Sequence, residues 1–226
     1  MSQKPDPHIS AEVKINLTIL VLGAMVMILN ETALSVALPT IMADFGIPAT
    51  SAQWLLTGFL LTMGVVIPTT GFLMDKFTTR QIFLASSGMF LAGTVLAALA
   101  PAFGVLLVGR VFQAAGTALM IPTLMMVAMT LVPPQRRGSV MGIISVVISV
   151  APALGPTVGG FVLSMSSWHV IFWTMVPLLG LICAAGYFRL VNVGDKRDTP
   201  LDFPSVVLSV IAFGGLVYAV SSLENM

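Results

Sequence analysis

The amino-acid sequence predicts an all-α integral membrane protein, and three observations support this fold class. Hydrophobic residues make up 57% of the chain and charged residues only 8%, whereas a soluble domain has about 25% charged residues. Charge-poor segments close to or longer than the ~20 residues of a membrane-spanning helix recur along the chain. Nearly all Lys and Arg residues lie between these segments, on one side of the membrane if successive helices alternate in direction.

Seven membrane-spanning helices are predicted, separated by polar or Pro- and Gly-containing breaks. Their approximate ranges are 15–38, 52–74, 81–100, 105–131, 139–163, 170–188 and 203–222. We expect the first six to form one helical bundle over residues 15–190. The remaining predicted parts are a tail at 1–14, a linker at 191–202 and a seventh helix at 203–226.

The basic residues predict how the helices are oriented. Of the ten Lys and Arg residues, all except Arg110 fall in the tail or in segments on the same side as the tail. By the positive-inside rule this side is cytoplasmic. We therefore expect a multi-pass protein of the plasma membrane whose amino terminus, tail and linker are cytoplasmic.

Composition also argues against several classes of function. A net charge of +1 and the lack of Lys/Arg clusters predict no nucleic-acid partner. The sequence has a single cysteine, two histidines on opposite predicted sides, and no nucleotide-binding glycine loop. We therefore predict no metal, no cofactor and no enzymatic activity.

Glu31 and Arg110 are the two charged residues inside the predicted spans. A charge in a membrane-spanning helix needs a partner, a water-filled cavity or an interface, and so it marks a candidate functional site. Glu31 could bind and release a proton, as a proton-coupled carrier requires, or it could be held permanently by Arg110 or a hydroxyl. Arg110 could act with it, or could extend to the interface.

Polar residues accompany both charges. In the fourth span Arg110, Gln113 and Thr117 recur every three or four residues and therefore share one helix face. In the first span Thr32 and Ser35 are near enough to Glu31 to hydrogen-bond it or to line the same cavity. A polar stripe in a helix surrounded by lipid must face protein or water.

The loop between the second and third spans runs from Gly71 through Asp75 and Lys76 to Arg80. Asp75 could interact with a helix N-terminus while Arg80 pairs with it, which would make a latch that forms and breaks. The alternative is that these charges only anchor the topology in water.

The fifth span contains an unusual density of prolines and glycines, namely Pro152, Gly155, Pro156, Gly159 and Gly160. A bilayer tolerates such residues where neighbouring helices satisfy the backbone, and small residues allow close approach. The spacing of Gly155 and Gly159 alone is also typical of a simple helix-packing face.

Together these segments resemble motifs of the drug:proton antiporters in the major facilitator superfamily. Gly155-Pro156 followed by Gly159-Gly160 resembles the fifth-helix motif, Arg110 with Gln113 the fourth-helix motif, and the 71–80 loop the superfamily's signature loop. Further matches, at the start of the sixth span, are Trp168, Ile171, Phe172 and Pro177.

The short linker before a seventh helix resembles the fourteen-helix branch, which includes multidrug and lincosamide-type exporters. Asn30 stands where many members carry Asp, so the resemblance assigns the proton role to Glu31. It implies an amino-terminal six-helix bundle of the major facilitator fold plus one linker helix.

The resemblance implies the amino-terminal half of a proton-coupled multidrug exporter. Its expected partners are protons, amphipathic drug-like substrates, the lipid bilayer, and a missing carboxy-terminal half or second membrane polypeptide. In this interpretation Glu31, Asn30 and Arg110 serve proton coupling. Changes of conformation would involve the 71–80 loop, Gln113 and the 152–160 segment, which would contact the missing half.

Two other functions remain open. One is uptake by symport or facilitated diffusion. The other is a truncated chain without transport of its own, which would act as a membrane interaction partner.

Overall fold

The computed structural model describes residues 9–193 and the single helical positions Leu208, Ala212 and Gly215. All regular structure in this described part is helical, which confirms the predicted class. The helices are α1 (Ala11–Phe45), α2 (Ala49–Ala52), α3 (Trp54–Lys76), α4 (Thr79–Ala98), α5 (Phe103–Leu131), α6 (Pro134–Met165) and α7 (His169–Arg189). The predicted seventh span at 203–226 lies outside the described residues apart from those three positions.

Six of the helical spans in the described residues are long and apolar enough to cross a membrane. The single turn α2 and the longer α3 together make the second span, Ala49–Lys76. The chain therefore crosses in six consecutive antiparallel passes, joined by short connections. This agrees with the number of spans predicted for residues 15–190.

The first helix is longer than predicted at both ends. The Ser10 hydroxyl caps α1 by accepting from the Val13 amide, so the helix begins at Ala11, inside the predicted tail. The predicted end of this span at residue 38 is wrong, because α1 continues through Pro39 to Phe45. Helix-breaking residues are tolerated in a span where neighbouring groups satisfy the backbone. The helix ends instead at Gly46, whose φ of +61° is the left-handed conformation that glycine adopts easily.

Helices α4 and α5 approach each other so closely that three glycine positions leave no room for a Cβ atom. A Cβ atom on Gly93 would lie 2.5 Å from the Gly109 carbonyl oxygen, and one on Gly109 would lie 2.8 Å from the Gly93 carbonyl oxygen. Further along, a Cβ on Gly116 would lie 2.6 Å from the Ser86 carbonyl oxygen. Small residues at such positions allow helix backbones to touch inside a membrane.

The interior consists of two apolar clusters. One cluster lies toward the end of the bundle where the chain begins and includes Leu20, Met27, Phe83, Phe90, Met120, Leu124 and Leu179. The other lies toward the opposite end and includes Leu34, Ile41, Leu55, Leu106, Trp168 and Phe172. Along α1, α4 and α5, the buried polar residues Asn30, Thr94, Arg110 and Gln113 fall between the two clusters.

The basic end of the bundle is the end formed by the starts of α1 and α4 and the end of α7. Here the chain that leaves α7 is held by side chains of the first and third spans. The Asn16 side-chain oxygen accepts from the Val191 amide at 2.8 Å. The Thr79 hydroxyl donates to the Val193 carbonyl at 3.0 Å and accepts from the Val193 amide at 3.2 Å.

We expect Gly93→Ala to destabilise the bundle by about 1–3 kcal/mol, the usual cost of forcing a methylene into a packed interior. The added methyl group would meet backbone atoms of α5, which cannot move without separating the two helices. Thermal or detergent-induced unfolding of the purified protein measures this change.

Gly88→Ala is the matched control on the same helix, because a Cβ there has no heavy atom within 4 Å. It should leave stability unchanged or raise it slightly, since Ala favours helix more than Gly. Equal destabilisation by both substitutions would contradict the close approach of α4 and α5.

Candidate functional site

Arg110 is completely buried in the middle of the bundle. Its Nε donates to the Leu55 carbonyl of α3 at 3.2 Å, and its Nη1 donates to the Gln113 side-chain oxygen at 3.0 Å. The guanidinium carbon also lies 4.2 Å from the centre of the Phe59 ring, a cation–π arrangement. Arg110 is therefore held inside the protein and does not extend to an interface.

Gln113 connects Arg110 to two further helices. Its amide nitrogen donates to the Asn30 side-chain oxygen of α1 at 3.1 Å and to the Thr94 hydroxyl of α4 at 2.9 Å. All four residues are fully buried. The result is one hydrogen-bonded polar layer, formed by Asn30, Thr94, Arg110 and Gln113, that joins α1, α4 and α5 and reaches α3 through the Leu55 carbonyl.

Two donors of this polar layer have no hydrogen-bond partner within the described residues. They are the Asn30 side-chain nitrogen and Nη2 of Arg110, and both atoms are shielded from solvent. Buried polar groups are nearly always paired in folded proteins, and an unpaired one is costly. The polar layer can therefore donate further hydrogen bonds from these two nitrogens to an acceptor.

Glu31 lies next to the polar layer and is half-buried. It interacts electrostatically with Arg110 across the boundary between α1 and α5. The direct hydrogen bonds of Arg110 go to neutral oxygens instead. The structure thus brings the two predicted intramembrane charges into one region, where Arg110 is fully buried and Glu31 is half-buried.

The hydroxyls of Thr32 and Ser35, which were expected to serve Glu31, donate to backbone carbonyls instead. Thr32 donates to the Ile28 and Leu29 carbonyls, and Ser35 donates to the Thr32 carbonyl. Each hydroxyl satisfies a carbonyl of its own helix, a frequent alternative in membrane-spanning segments. Thr117 likewise donates to the Gln113 backbone carbonyl and stays outside the side-chain network.

The glycines of α6 pack against α1 of the same bundle. A Cβ on Gly159 would lie 2.7 Å from the Ala33 carbonyl oxygen, and one on Gly155 would overlap the Thr32 side chain. The expectation that these two glycines face a missing half is therefore corrected, because α1 covers them. Pro156 is exposed on the uncovered side of α6, and Gly160 meets nothing within 4 Å.

The predicted 71–80 loop is mostly helical and lies at the basic end, because residues 71–76 end α3 and Thr79 and Arg80 begin α4. Arg80 has different partners from those predicted. Its guanidinium donates to the Tyr187 carbonyl of α7 and lies 4.7 Å from the centre of the Tyr187 ring. Its backbone amide donates to the Asn192 side chain. Arg80 is thus engaged by α7 and the chain that follows it, while Asp75 is exposed.

Gly71 and Lys76 have few contacts in the structure. Gly71 is exposed, and a Cβ at this position would meet nothing within 4 Å. The Lys76 ammonium lies 5.7 Å from the centre of the Phe72 ring, one turn earlier in α3. The described contacts of Gly71 and Lys76 therefore stay within α3.

A polar contact at the opposite end was not predicted. The indole nitrogen of Trp168 donates to the Asp44 carboxylate at 3.0 Å, and the ring packs against Phe45 and His169. The sequence neighbours of Trp168, at the start of the sixth span, gave no sign of a partner 124 positions away. This contact joins the end of α1 to the start of α7.

Thr94 is a further residue that sequence reasoning missed. It lies in an apolar helix and belongs to no charged motif, so nothing in the sequence distinguishes it from a threonine without a functional role. Its proximity to Gln113 depends on the close contact between Gly93 and Gly109, which only the packed structure reveals. Among the described residues no group of three or more His, Cys, Asp or Glu could hold a metal.

Comparison with known proteins gives a consistent result. The family model described as Major Facilitator Superfamily matches residues 20–223. The chain is 45% identical over 207 residues to the uncharacterized MFS-type transporter YcnB of Bacillus subtilis, covering 92% of this chain and 44% of that protein. It is 42% identical over 203 residues to the lincomycin resistance protein LmrB of Bacillus subtilis, covering 90% and 42%.

Solved structures support the same fold at low sequence identity. A peptide transporter POT in complex with sulfate superposes with a TM-score of 0.72 at 16% identity, covering 91% of this chain and 45% of that one. The human organic anion transporter MFSD10 superposes with a TM-score of 0.71 at 17% identity, covering 91% and 55%. The chain spans less than half the length of the curated relatives named above.

We expect Gly159→Ala to loosen the contact between α1 and α6, because the new methyl group would collide with the Ala33 backbone. The expected loss of stability is about 1–3 kcal/mol, measured by unfolding in detergent. Gly160→Ala is the adjacent control and should have little effect, since nothing lies within 4 Å of a Cβ there. A larger effect at Gly160 than at Gly159 would contradict the packing of Gly159 against α1.

Proposed function

The chain belongs to the Major Facilitator Superfamily, and we propose that it forms the amino-terminal half of a proton-coupled multidrug efflux transporter. Family membership supports a multi-pass membrane protein that serves transport and not catalysis. The proposal adds the direction of transport, the coupling to protons and the class of substrate. Export would proceed by alternating access, with this bundle moving against a second one.

The observation that carries the proposal is the position of Glu31 beside the buried Arg110. A carboxylate that is half-buried can exchange protons with water while it still senses a fixed charge inside the bundle. Arg110 cannot lose its proton under physiological conditions, so the change of charge falls on Glu31. Ionisable groups inside a membrane domain typically mark such proton pathways.

Protonation of Glu31 would change the energy of the whole polar layer. Ionised Glu31 offsets the charge of Arg110, whereas protonated Glu31 leaves that charge without a counter-ion. Nη2 of Arg110 is then a buried donor with a stronger need for an acceptor. If substrate binding and protonation favour different conformations of the bundle, the proton gradient can drive export.

The proposed substrates are amphipathic, drug-like organic molecules. The similarity to LmrB, named as a lincomycin resistance protein, supports this class. A protein named multidrug resistance protein B homolog in Mycobacterium tuberculosis is also 31% identical over 209 residues. The described bundle contains many apolar side chains, and those of methionine adapt readily to different ligands.

A second bundle is needed for this mechanism. The chain covers about two fifths of LmrB, and the uncovered side of α6 carries the exposed side chains of Ile143, Val146 and Phe161. Such a surface fits lipid or another bundle. The second bundle would come from further chain or from a second membrane polypeptide.

We propose that residues 71–80 exchange contact partners during transport. In the present conformation Arg80 is held by Tyr187 and Asn192, which leaves Asp75 free to meet a second bundle. Gly71 and Lys76 flank this position. Pro152, Pro156 and Gly160 would supply the contact on α6 that Gly155 and Gly159 do not.

We further propose that the protein lies in the plasma membrane with its amino terminus in the cytoplasm. Among residues 9–193, the helix ends at the basic end carry Lys14, Lys76, Arg80, Arg136, Arg137 and Arg189. The connections at the opposite end, residues 46–53, 99–102 and 166–168, contain no Lys or Arg. This asymmetry is what the positive-inside rule requires.

Glu31→Gln should reduce proton-driven drug transport by roughly 5- to 150-fold, the usual range for loss of a coupling interaction. The substitution keeps the size of the side chain and removes its ability to ionise. The measurement is movement of a fluorescent cationic drug into inside-out vesicles that contain the protein, energised by a proton gradient.

Glu12→Gln is the matched control, since Glu12 is an exposed carboxylate on the same helix. Its transport should equal that of the unmodified protein. Undiminished transport by Glu31→Gln would reduce Glu31 to a structural residue, and drug movement in the opposite direction would favour uptake. If the 226-residue chain alone is inactive while it works together with a second bundle, the chain is half of a transporter.

The proposed orientation predicts which residues a membrane-impermeant maleimide reaches. In a Cys183→Ser background, Ser166→Cys should react in intact cells, because Ser166 is exposed at the opposite end. Gln135→Cys should react only after the cells are opened, because Gln135 lies at the start of α6 on the basic end. The reverse pattern would overturn the proposed orientation.

A further inference from the structure

The direction of the hydrogen bond between Thr94 and Gln113 can be traced from a single backbone carbonyl. The Thr94 hydroxyl donates its one hydrogen to the Phe90 carbonyl at 2.7 Å. A hydroxyl has only one hydrogen, so the Thr94 oxygen can only accept from its other partner. That partner, Gln113, must therefore present its amide nitrogen, at 2.9 Å.

This assignment agrees with the other two contacts of Gln113. Arg110 can only donate, so it requires the Gln113 side-chain oxygen. The second amide hydrogen goes to the Asn30 side-chain oxygen. Each polar group of the Gln113 side chain is therefore used, and its carboxamide is held by three helices in one orientation.

From this geometry we infer that Thr94 is a positioning residue for the transport step, one that fixes the Gln113 carboxamide and through it the Arg110 guanidinium. The inference rests on the proposed function, because the movement it controls is the response of Arg110 to Glu31. The described hydrogen bonds of Thr94 go to Phe90 and Gln113 and to neither charged group.

The same bonds decide which donors stay free. Since Asn30 accepts from Gln113 through its oxygen, its nitrogen must point elsewhere, and that nitrogen is one of the two unpartnered donors. Since Nε and Nη1 of Arg110 are taken by Leu55 and Gln113, Nη2 remains. Thr94 thus helps to keep two buried donor nitrogens, Nδ2 of Asn30 and Nη2 of Arg110, available as the charge on Glu31 changes.

The placement of Thr94 depends on the contact between α4 and α5. Gly93, the preceding residue, touches the backbone of Gly109, the residue before Arg110. A displacement of α4 by even a methyl radius would lengthen the bond between Thr94 and Gln113 beyond hydrogen-bonding distance. The glycine contact and the hydroxyl therefore act together.

Thr94→Val tests the inference, since valine keeps the branched shape and removes the hydroxyl. One Gln113 N–H then loses its acceptor, and the carboxamide can leave its fixed orientation. We expect proton-driven drug transport to fall by at least about fivefold, the effect of one lost buried hydrogen bond. Proton-independent drug–drug exchange in the same vesicles should stay within about twofold, since Glu31 need not change protonation for it.

Thr94→Ser restores the hydroxyl and should recover proton-driven transport. Thr123→Val is the matched control, because Thr123 is a fully buried threonine of α5 whose hydroxyl donates to the Leu119 carbonyl of its own helix. It should leave both assays unchanged. Unaltered proton-driven transport in Thr94→Val would overturn the inference. So would an equal loss of transport and exchange, which would indicate a purely structural role.

A second measurement separates this inference from the proposed function. Nitrogen NMR of the arginine-labelled protein, with the Arg110 signals assigned through Arg110→Lys, reports the environment of the guanidinium without any transport. Thr94→Val should shift these signals and Thr123→Val should not. If the unmodified protein shows no proton-driven transport even together with a second bundle, the proposed function fails, and the NMR shift still decides the role of Thr94.

Discussion

The buried guanidinium of Arg110 is the constraint to which the rest of the bundle is adapted. A permanent charge in the interior of a membrane domain is tolerated only if the protein itself supplies its partners. Here a carbonyl of α3, a carboxamide of α5 and the ring of Phe59 do so. The polar layer that results lies between two apolar clusters, which keep water away and strengthen each of its hydrogen bonds.

Short side chains make this polar layer possible. Thr94 and Asn30 reach Gln113 only because the helices that carry them lie unusually near α5, and the contact between Gly93 and Gly109 brings α4 there. On the other side of α1, Gly155 and Gly159 let α6 approach in the same way. The polar layer therefore depends on the close packing at the glycines. This packing brings the polar side chains near enough to hydrogen-bond to one another instead of to water.

The two ends of the bundle are fastened by different chemistry. Trp168 and Asp44 join α7 to α1 at the end that carries no Lys or Arg in its connections. At the basic end, Arg80 joins α4 to α7, and Asn16 holds the chain just after α7. A proton-linked change at Glu31 would thus act on helices already tied at both ends. Under the proposed mechanism this favours movement of the bundle as a unit over rearrangement of single helices.

The sequence by itself determined the class of fold, six of the spans and the two intramembrane charges, because hydropathy and charge act locally and the bilayer leaves few alternatives. It also marked Gln113 and the α6 glycines, since their spacing places them on single helix faces. Only the tertiary structure decided what those faces meet. Gly155 and Gly159 lie against α1, Arg80 binds α7, and Thr94 completes the polar layer. Each of these pairings joins residues that are distant in sequence, and single-helix patterns carry no information about which neighbour will be close enough to bond.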